Sequence, residues 1–131
     1  MLIDSIKQHE GFINHVYKDS LDFDTIGYGT KMPITEEEAT LLLQHRLNLM
    51  VSDLISKEPY YNELPQVIAD VIAEMAYQMG VNGVLSFKKM WEALKKKDYK
   101  EAAKQGLDSK WYIQTPERAK KLMSILENYE G

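Results

Sequence analysis

Gly11 stands directly behind Glu10, and from there to Gly29 the chain drops the helical spacing that governs most of the remaining sequence. Residues 15-HVYK-18 and 23-FDTIGY-28 alternate or carry β-branched and aromatic side chains, and 19-DSLD-22 between them consists of turn formers. This pattern predicts a small β-hairpin. Gly11 should end the first helix at Glu10. Gly27 and Gly29 weaken a strand, and their use is to let another backbone, or a ligand, come close.

After residue 34 the apolar spacing predicts helix almost everywhere. Thr35 and Glu38 form a T-x-x-E capping box, and Ala39, Leu43, Leu47, Met50 and Leu54 then recur every three or four residues on one face of a long helix. That helix should end near Lys57, before Pro59. Pro65 suits a first helical position. Val67, Ile68, Val71, Ile72, Met75 and Met79 make a stripe broad enough for a buried central helix, with Gly80 placed for a left-handed cap. Shorter helices are predicted over 86–95 and over 98–105, the latter with Asp98 and Glu101 as a second capping box. A turn near Trp111 follows, and Thr115-Pro116 opens a last helix with Leu122, Met123, Ile125 and Leu126 inward. The fold class expected is α+β, mostly helical.

The 131 residues make one domain with a real core. With 44% hydrophobic and 27% charged residues the chain has the composition of a globular protein and should fold by itself. It has no cysteine, so it needs no oxidising compartment and offers no thiolate metal site. His15 and His45 have no partner at ligand spacing, so no metal and no cofactor is expected. The net charge is −4, and 95-KKK-97 and 120-KK-121 are offset by 36-EEE-38 and scattered acids. Nucleic acid is therefore an unsuitable partner. MLIDSIKQHEGF is too short and too broken by Asp4 and Lys7 to be a signal peptide or anchor, and no later segment reaches bilayer length. The expectation is a monomer that does not insert in membranes and is made in a cytoplasm.

Glu10 at a helix end, Asp19 at a strand end and Thr25 on the returning strand sit where side chains can converge on a cleft. Two carboxylates across a cleft are the minimum equipment for cleaving a glycosidic bond. One stays protonated and donates to the leaving oxygen, and the other stays ionised and positions water or steadies the oxocarbenium-like transition state. A carboxyl on a helix packed in the core loses solvation, whereas one in an open turn keeps its water. On that logic Glu10 is the acid and Asp19 the ionised partner, with the Thr25 hydroxyl holding a water beside Asp19.

These residues also resemble a family. Glu10-Gly11, then Tyr17-Lys18-Asp19, then Thr25-Ile26-Gly27-Tyr28-Gly29 is similar to the E-G…Y-x-D…T-I-G-x-G signature of phage lysozymes of the T-even type, glycoside hydrolase family 24. The intervals of nine from Glu10 to Asp19 and six from Asp19 to Thr25 are the family's. Further on, 76-AYQMG-80 with Gly83 and Phe87 resembles its F-Q-M-G segment, and 109-SKWYIQTPERAK-120 its S-R-W-Y-x-Q-T-P-x-R-A-x segment. The resemblance implies a small β-containing lobe over about 11–34, a helical lobe from 1–10 and 58–131, and a connecting helix over 35–57, with a peptidoglycan-binding cleft between the lobes. It implies Glu10 as proton donor, Asp19 with Thr25 handling the nucleophilic water, and Arg118 as the arginine that pairs with the catalytic glutamate. Tyr77, Gln78 and Gln105 fall where the family lines its cleft, although Tyr77 and Gln78 serve equally well to finish the central helix. The enzyme so implied is an endolysin or muramidase that reaches peptidoglycan glycan strands after release by a separate factor.

The departures bear on the expectation. After Gly29 the family continues with a histidine and a longer β-lobe containing another strand and a short helix. Here Thr30-Lys31-Met32 runs almost at once into 33-PITEEEA-39, so the distal sugar subsites should be reduced. The family's hairpin has a glycine where this chain has 21-LDFD-24, so the turn that carries Asp19 should differ. Members are often basic, whereas this chain is acidic, and its attraction to an anionic wall should be weaker. Trp111 and Tyr112 are read as packing aromatics, and 95-KKK-97 as a solvated helix end. Two other readings remain: a lytic transglycosylase that uses Glu10 alone, and a non-catalytic wall-binding domain.

Overall fold

In the computed structural model all 131 residues are described. They form an α+β chain, mostly helical with one small antiparallel sheet, that divides into two compact units, Met1–Leu43 and Gln44–Gly131. The first unit holds α1 (Leu2–Glu10) and three strands, β1 (Ile13–Lys18), β2 (Asp24–Gly27) and β3 (Thr30–Lys31). The boundary falls inside α2 (Glu36–Lys57). α1 lies with the sheet in the first unit.

Gly11 stops α1 as predicted, with φ +71° and its N–H donating to the Lys7 carbonyl at 2.9 Å. The predicted hairpin forms, and a strand is added to it. β2 lies between β1 and β3, with Tyr17 and Lys31 as the Cα partners of Thr25 on its two sides. The shortened segment after Gly29 thus keeps a third strand of two residues. Thr25 is the one buried residue of this unit. Hydrogen bonds and register, rather than apolar burial, set its geometry.

The altered turn also has a specific shape. Asp22 takes φ +69° and donates its N–H to the Asp19 carbonyl at 3.0 Å. Asp is one of the few L residues that tolerate this region, yet glycine occupies it without steric cost. Asp22→Gly should therefore raise stability by about 0.5 kcal/mol, read as a higher thermal midpoint. A lower midpoint would mean that the Asp22 side chain itself holds the turn.

Thr35 and Glu38 complete both arms of the capping box on α2: the Glu38 N–H donates to Thr35 Oγ1 at 3.1 Å, and the Thr35 N–H to Glu38 Oε1 at 2.9 Å. The predicted apolar face is only partly used. Leu54 is fully buried and Leu47 and Met50 are half-buried, but Ala39 and Leu43 are exposed. Those two lie in the first unit, which has no apolar layer to receive them.

The second unit carries the core. A 3₁₀ turn (Pro59–Glu63) leads to α3 (Gln66–Met79), followed by α4 (Val81–Leu85), α5 (Lys88–Lys95), α6 (Tyr99–Leu107), α7 (Lys110–Gln114) and α8 (Pro116–Glu127). Ile68, Val71, Ile72 and Met75 of α3 are buried among Leu54, Met90, Leu94, Trp111, Met123 and Leu126, each worth about 1.5–3 kcal/mol when fully buried. Val67, predicted in the same stripe, is 52% exposed, because at about 100° per residue it falls on the stripe's outer edge. Gly80 has a positive φ as predicted, but its ψ of 159° is extended rather than left-handed helical. The chain thereby turns straight into α4, a helix that the sequence spacing does not predict. α6 and α8 approach closely because Gly106 has no Cβ where the Met123 sulfur sits. Asp98 caps α6 through the Glu101 N–H at 3.2 Å; the reciprocal arm is missing, since Glu101 Oε2 instead accepts from Gln105 Nε2 at 2.7 Å.

Candidate active site

In the first unit the structure brings the three expected residues onto one framework. Glu10, the last residue of α1, has its carboxyl against the backbone of Gly29 at the β2–β3 turn: a Cβ built on Gly29 would lie 2.5 Å from Glu10 Oε2. Gly29 has φ +73°, so both its conformation and its missing side chain are required there. Two more contacts fasten the end of α1 to this turn. The Lys7 ammonium lies 5.3 Å from the centroid of the Tyr28 ring, and the Phe12 and Tyr28 rings are 5.5 Å apart. The close approach predicted for Gly27 and Gly29 thus belongs to Gly29; nothing approaches the position of a Gly27 side chain. The burial expected for Glu10 is not present. α1 buries none of its residues and Glu10 is exposed, because the helix ends on a turn and not on an apolar layer.

Asp19 is held at both oxygens. Oδ1 accepts from the N–H groups of Leu21 at 2.9 Å and Phe23 at 2.8 Å, and Oδ2 is 2.6 Å from Lys31 Nζ. The Lys31 hydrogen bond and then the Phe23 amide, with lesser help from the Leu21 amide and the Lys31 charge, hold the carboxyl below its ordinary range against desolvation, which opposes them. Asp19 is thereby kept ionised, as expected, although by direct partners more than by open water. The stabilisation from this depressed carboxyl is present above the ordinary value of 3.8 and is lost as pH falls through the lower folded value.

Thr25 differs from the expectation in its setting. It is 1% exposed, and its hydroxyl donates to the Phe23 carbonyl at 2.8 Å. The same carbonyl accepts the Asp19 N–H at 3.0 Å, and the Phe23 N–H supports Asp19 Oδ1. The Phe23 peptide therefore links Thr25 to Asp19. Toward any third group the Thr25 hydroxyl has only lone pairs to offer.

In the helical unit, Gln78 and Gln105 line one cavity of about 740 Å³ together with Phe87, Met90, Ser109 and Trp111. Tyr77, expected with them, is outside this lining and 51% exposed. Gln78 is also structural. Its Oε1 accepts from Trp111 Nε1 at 3.0 Å and its Nε2 donates to Thr115 Oγ1 at 3.3 Å, which brackets α3 to the two ends of α7. Trp111 is 6% exposed and meets Phe87 edge-on, a packing aromatic as expected. Arg118, expected to support Glu10, has its ion pair with Glu74 of α3, Nη2 to Oε2 at 3.1 Å. Both side chains are more than 40% exposed, so the pair contributes at most about 1 kcal/mol.

Two partners escaped sequence reasoning. Lys31 belongs to no motif, and only the β2–β3 register places it beside Thr25 and Asp19. Glu74 lies four residues before Gln78, one turn of α3 earlier, but nothing in its spacing links it to Arg118.

Comparison with known proteins bears on the same residues. The family model for phage lysozyme matches residues 7–126, a span that contains Glu10, Asp19, Thr25, Gln78, Gln105 and Arg118. The chain belongs to the phage lysozyme family. It is a glycoside hydrolase of the lysozyme class with a lysozyme-like α+β fold. The probable T4-type lysozyme 1 of Dictyostelium discoideum is 29% identical over 95% of this chain and 92% of its own length. The probable T4-type lysozyme 2 of that organism is 27% identical over 96% and 93%. The pre-baseplate central spike protein Gp5 of Enterobacteria phage T4 is 30% identical over 95% of this chain, which spans 27% of that protein. These alignments run over 156 to 158 positions, more than the 131 residues of this lysozyme. The relatives therefore carry segments that it lacks, in keeping with the shortened region after Gly29.

Proposed function

We propose that the enzyme hydrolyses the β-1,4 bond between N-acetylmuramic acid and N-acetylglucosamine in bacterial peptidoglycan, with Glu10 as general acid and Asp19 and Thr25 positioning the attacking water. The observation that carries this reading is the unlike setting of two carboxyl groups in one small unit. Asp19 is kept anionic by Lys31 and two turn amides, while Glu10 has no cationic partner of its own and rests on Gly29. Separate environments for paired carboxyls are how glycosidases divide acid from base. Glu10 is exposed, so its carboxyl is open to the oxygen of a bound glycan.

The Thr25 hydroxyl, its proton engaged by Phe23, accepts from a water. Asp19 Oδ2 accepts the other water proton, which leaves an oxygen lone pair aimed outward for attack at the anomeric carbon. Within the helical unit, Gln78 and Gln105 line a cavity of ligand size and carry amides of the kind that bind acetamido and hydroxyl groups. A water seated between nucleophile site and sugar requires inversion. Digestion of purified peptidoglycan should give reducing ends by mass spectrometry, and proton NMR of fresh products should show the α-anomer first. Anhydro ends would replace hydrolysis by transglycosylation, and a β-anomer would remove the water-seating role of Thr25.

A further inference from the structure

Beyond keeping Asp19 anionic, Lys31 bears on how the Asp19 carboxylate is oriented. Its ammonium lies 2.6 Å from Asp19 Oδ2, with its side chain 55% exposed while that of Asp19 is 15% exposed. An ionised carboxylate offers about four acceptor positions. Two on Oδ1 are filled by the Leu21 and Phe23 amides and one on Oδ2 by Lys31, so a single position, on Oδ2, remains. The tether comes from the sheet: Lys31 is the Cα partner of Thr25, so the register that places Thr25 places Lys31 too. Its ammonium also lies 5.8 Å from the centroid of the Phe23 ring, which steadies it over the same turn.

We infer that Lys31 is a positioning residue for glycoside hydrolysis, one that locks the Asp19 carboxylate so that its one open acceptor site takes the attacking water. The inference rests on the assignment of Asp19 proposed above. Without Lys31 the carboxylate is anchored through Oδ1 alone, and the torsion about its Cβ–Cγ bond is a soft one. Both acceptor sites on Oδ2 are then open and the water has no single seat. The charge acts in the same direction as the geometry. The Lys31 hydrogen bond is the first cause of the lowered Asp19 titration, and Asp19, then Glu10 and Tyr17, raise that of Lys31. The other charges near the turn are Lys18 and Asp24, which pair with each other at 2.7 Å, and Asp22 within it.

Lys31→Met, Lys31→Gln and Lys31→Arg separate these contributions on a soluble glycan substrate. Met and Gln should lower kcat by about ten- to a hundredfold with KM near the parent value. They should also move the acid limb of the kcat/KM profile to higher pH, because Asp19 loses its cation. Arg should restore both the rate and the limb. Carbon-13 NMR titration of the Asp19 carboxyl should show the same displacement in Met and Gln. A parent-like kcat and acid limb in Met and Gln, with Asp19→Asn inactive, would overturn the role of Lys31 while leaving Asp19 catalytic. Parent-like activity in Asp19→Asn would instead overturn the assignment of Asp19, and the role of Lys31 with it.

Discussion

Glu10→Gln is expected to abolish lysis without loosening the fold. The amide keeps the shape and hydrogen-bonding capacity of the acid but has no proton to deliver to the leaving oxygen, and general acid catalysis is worth about 10²–10⁴-fold in rate. The structural effect should be small, because Glu10 is exposed and its helix buries none of its residues. Substitutions at such positions stay within about 0.5 kcal/mol. A loss of rate at an unchanged melting midpoint is therefore a loss of chemistry. Turbidity clearing on cells stripped of their outer membrane reads the effect, and clearing within a few-fold of the parent rate would remove Glu10 from the role of acid.

The residues that the sequence made legible are those whose placement follows from short intervals. Gly11 behind Glu10, the Asp19 turn and Thr25 all lie within a hairpin's reach of one another, so spacing alone brings them together. The capping box at Thr35 and Glu38 is legible for the same reason. Its counterpart at Asp98 and Glu101 is half-made because Gln105, one turn along α6, competes for the Glu101 carboxylate, a choice that sequence spacing does not decide. Lys31 was hidden because its meeting with Asp19 depends on cross-strand register in a strand of two residues, too short to show alternation. Glu74 and Arg118 meet through the packing of α3 on α8, which joins residues far apart in the chain. The exposure of Glu10 is not legible in sequence, because the apolar spacing of a helix shows which face seeks cover and says nothing of what covers it.

Gly29→Ala should strike activity harder than stability, and Gly27→Ala should separate the two effects. Both glycines have φ near +70°, where an L residue is strained by about 1–2 kcal/mol. They differ in what a methyl group meets. At Gly27 it meets nothing within 4 Å, whereas at Gly29 it would lie 2.5 Å from Oε2 and 2.7 Å from Cδ of Glu10. The end of a glutamate side chain can swing aside, so the collision adds little to the folding cost. The carboxyl proposed as the acid is nevertheless displaced from its seat on Gly29, and a misplacement of about 1 Å in a catalytic group costs up to about 10²-fold in rate. The two variants should therefore melt at similar temperatures below the parent, with Gly29→Ala turning over roughly ten- to a hundredfold more slowly than Gly27→Ala at a similar KM. The ratio of their kcat values isolates the position of the Glu10 carboxyl from the backbone strain that both share. Equal turnover in the two would show that the seat of Glu10 on Gly29 does not govern the proton transfer.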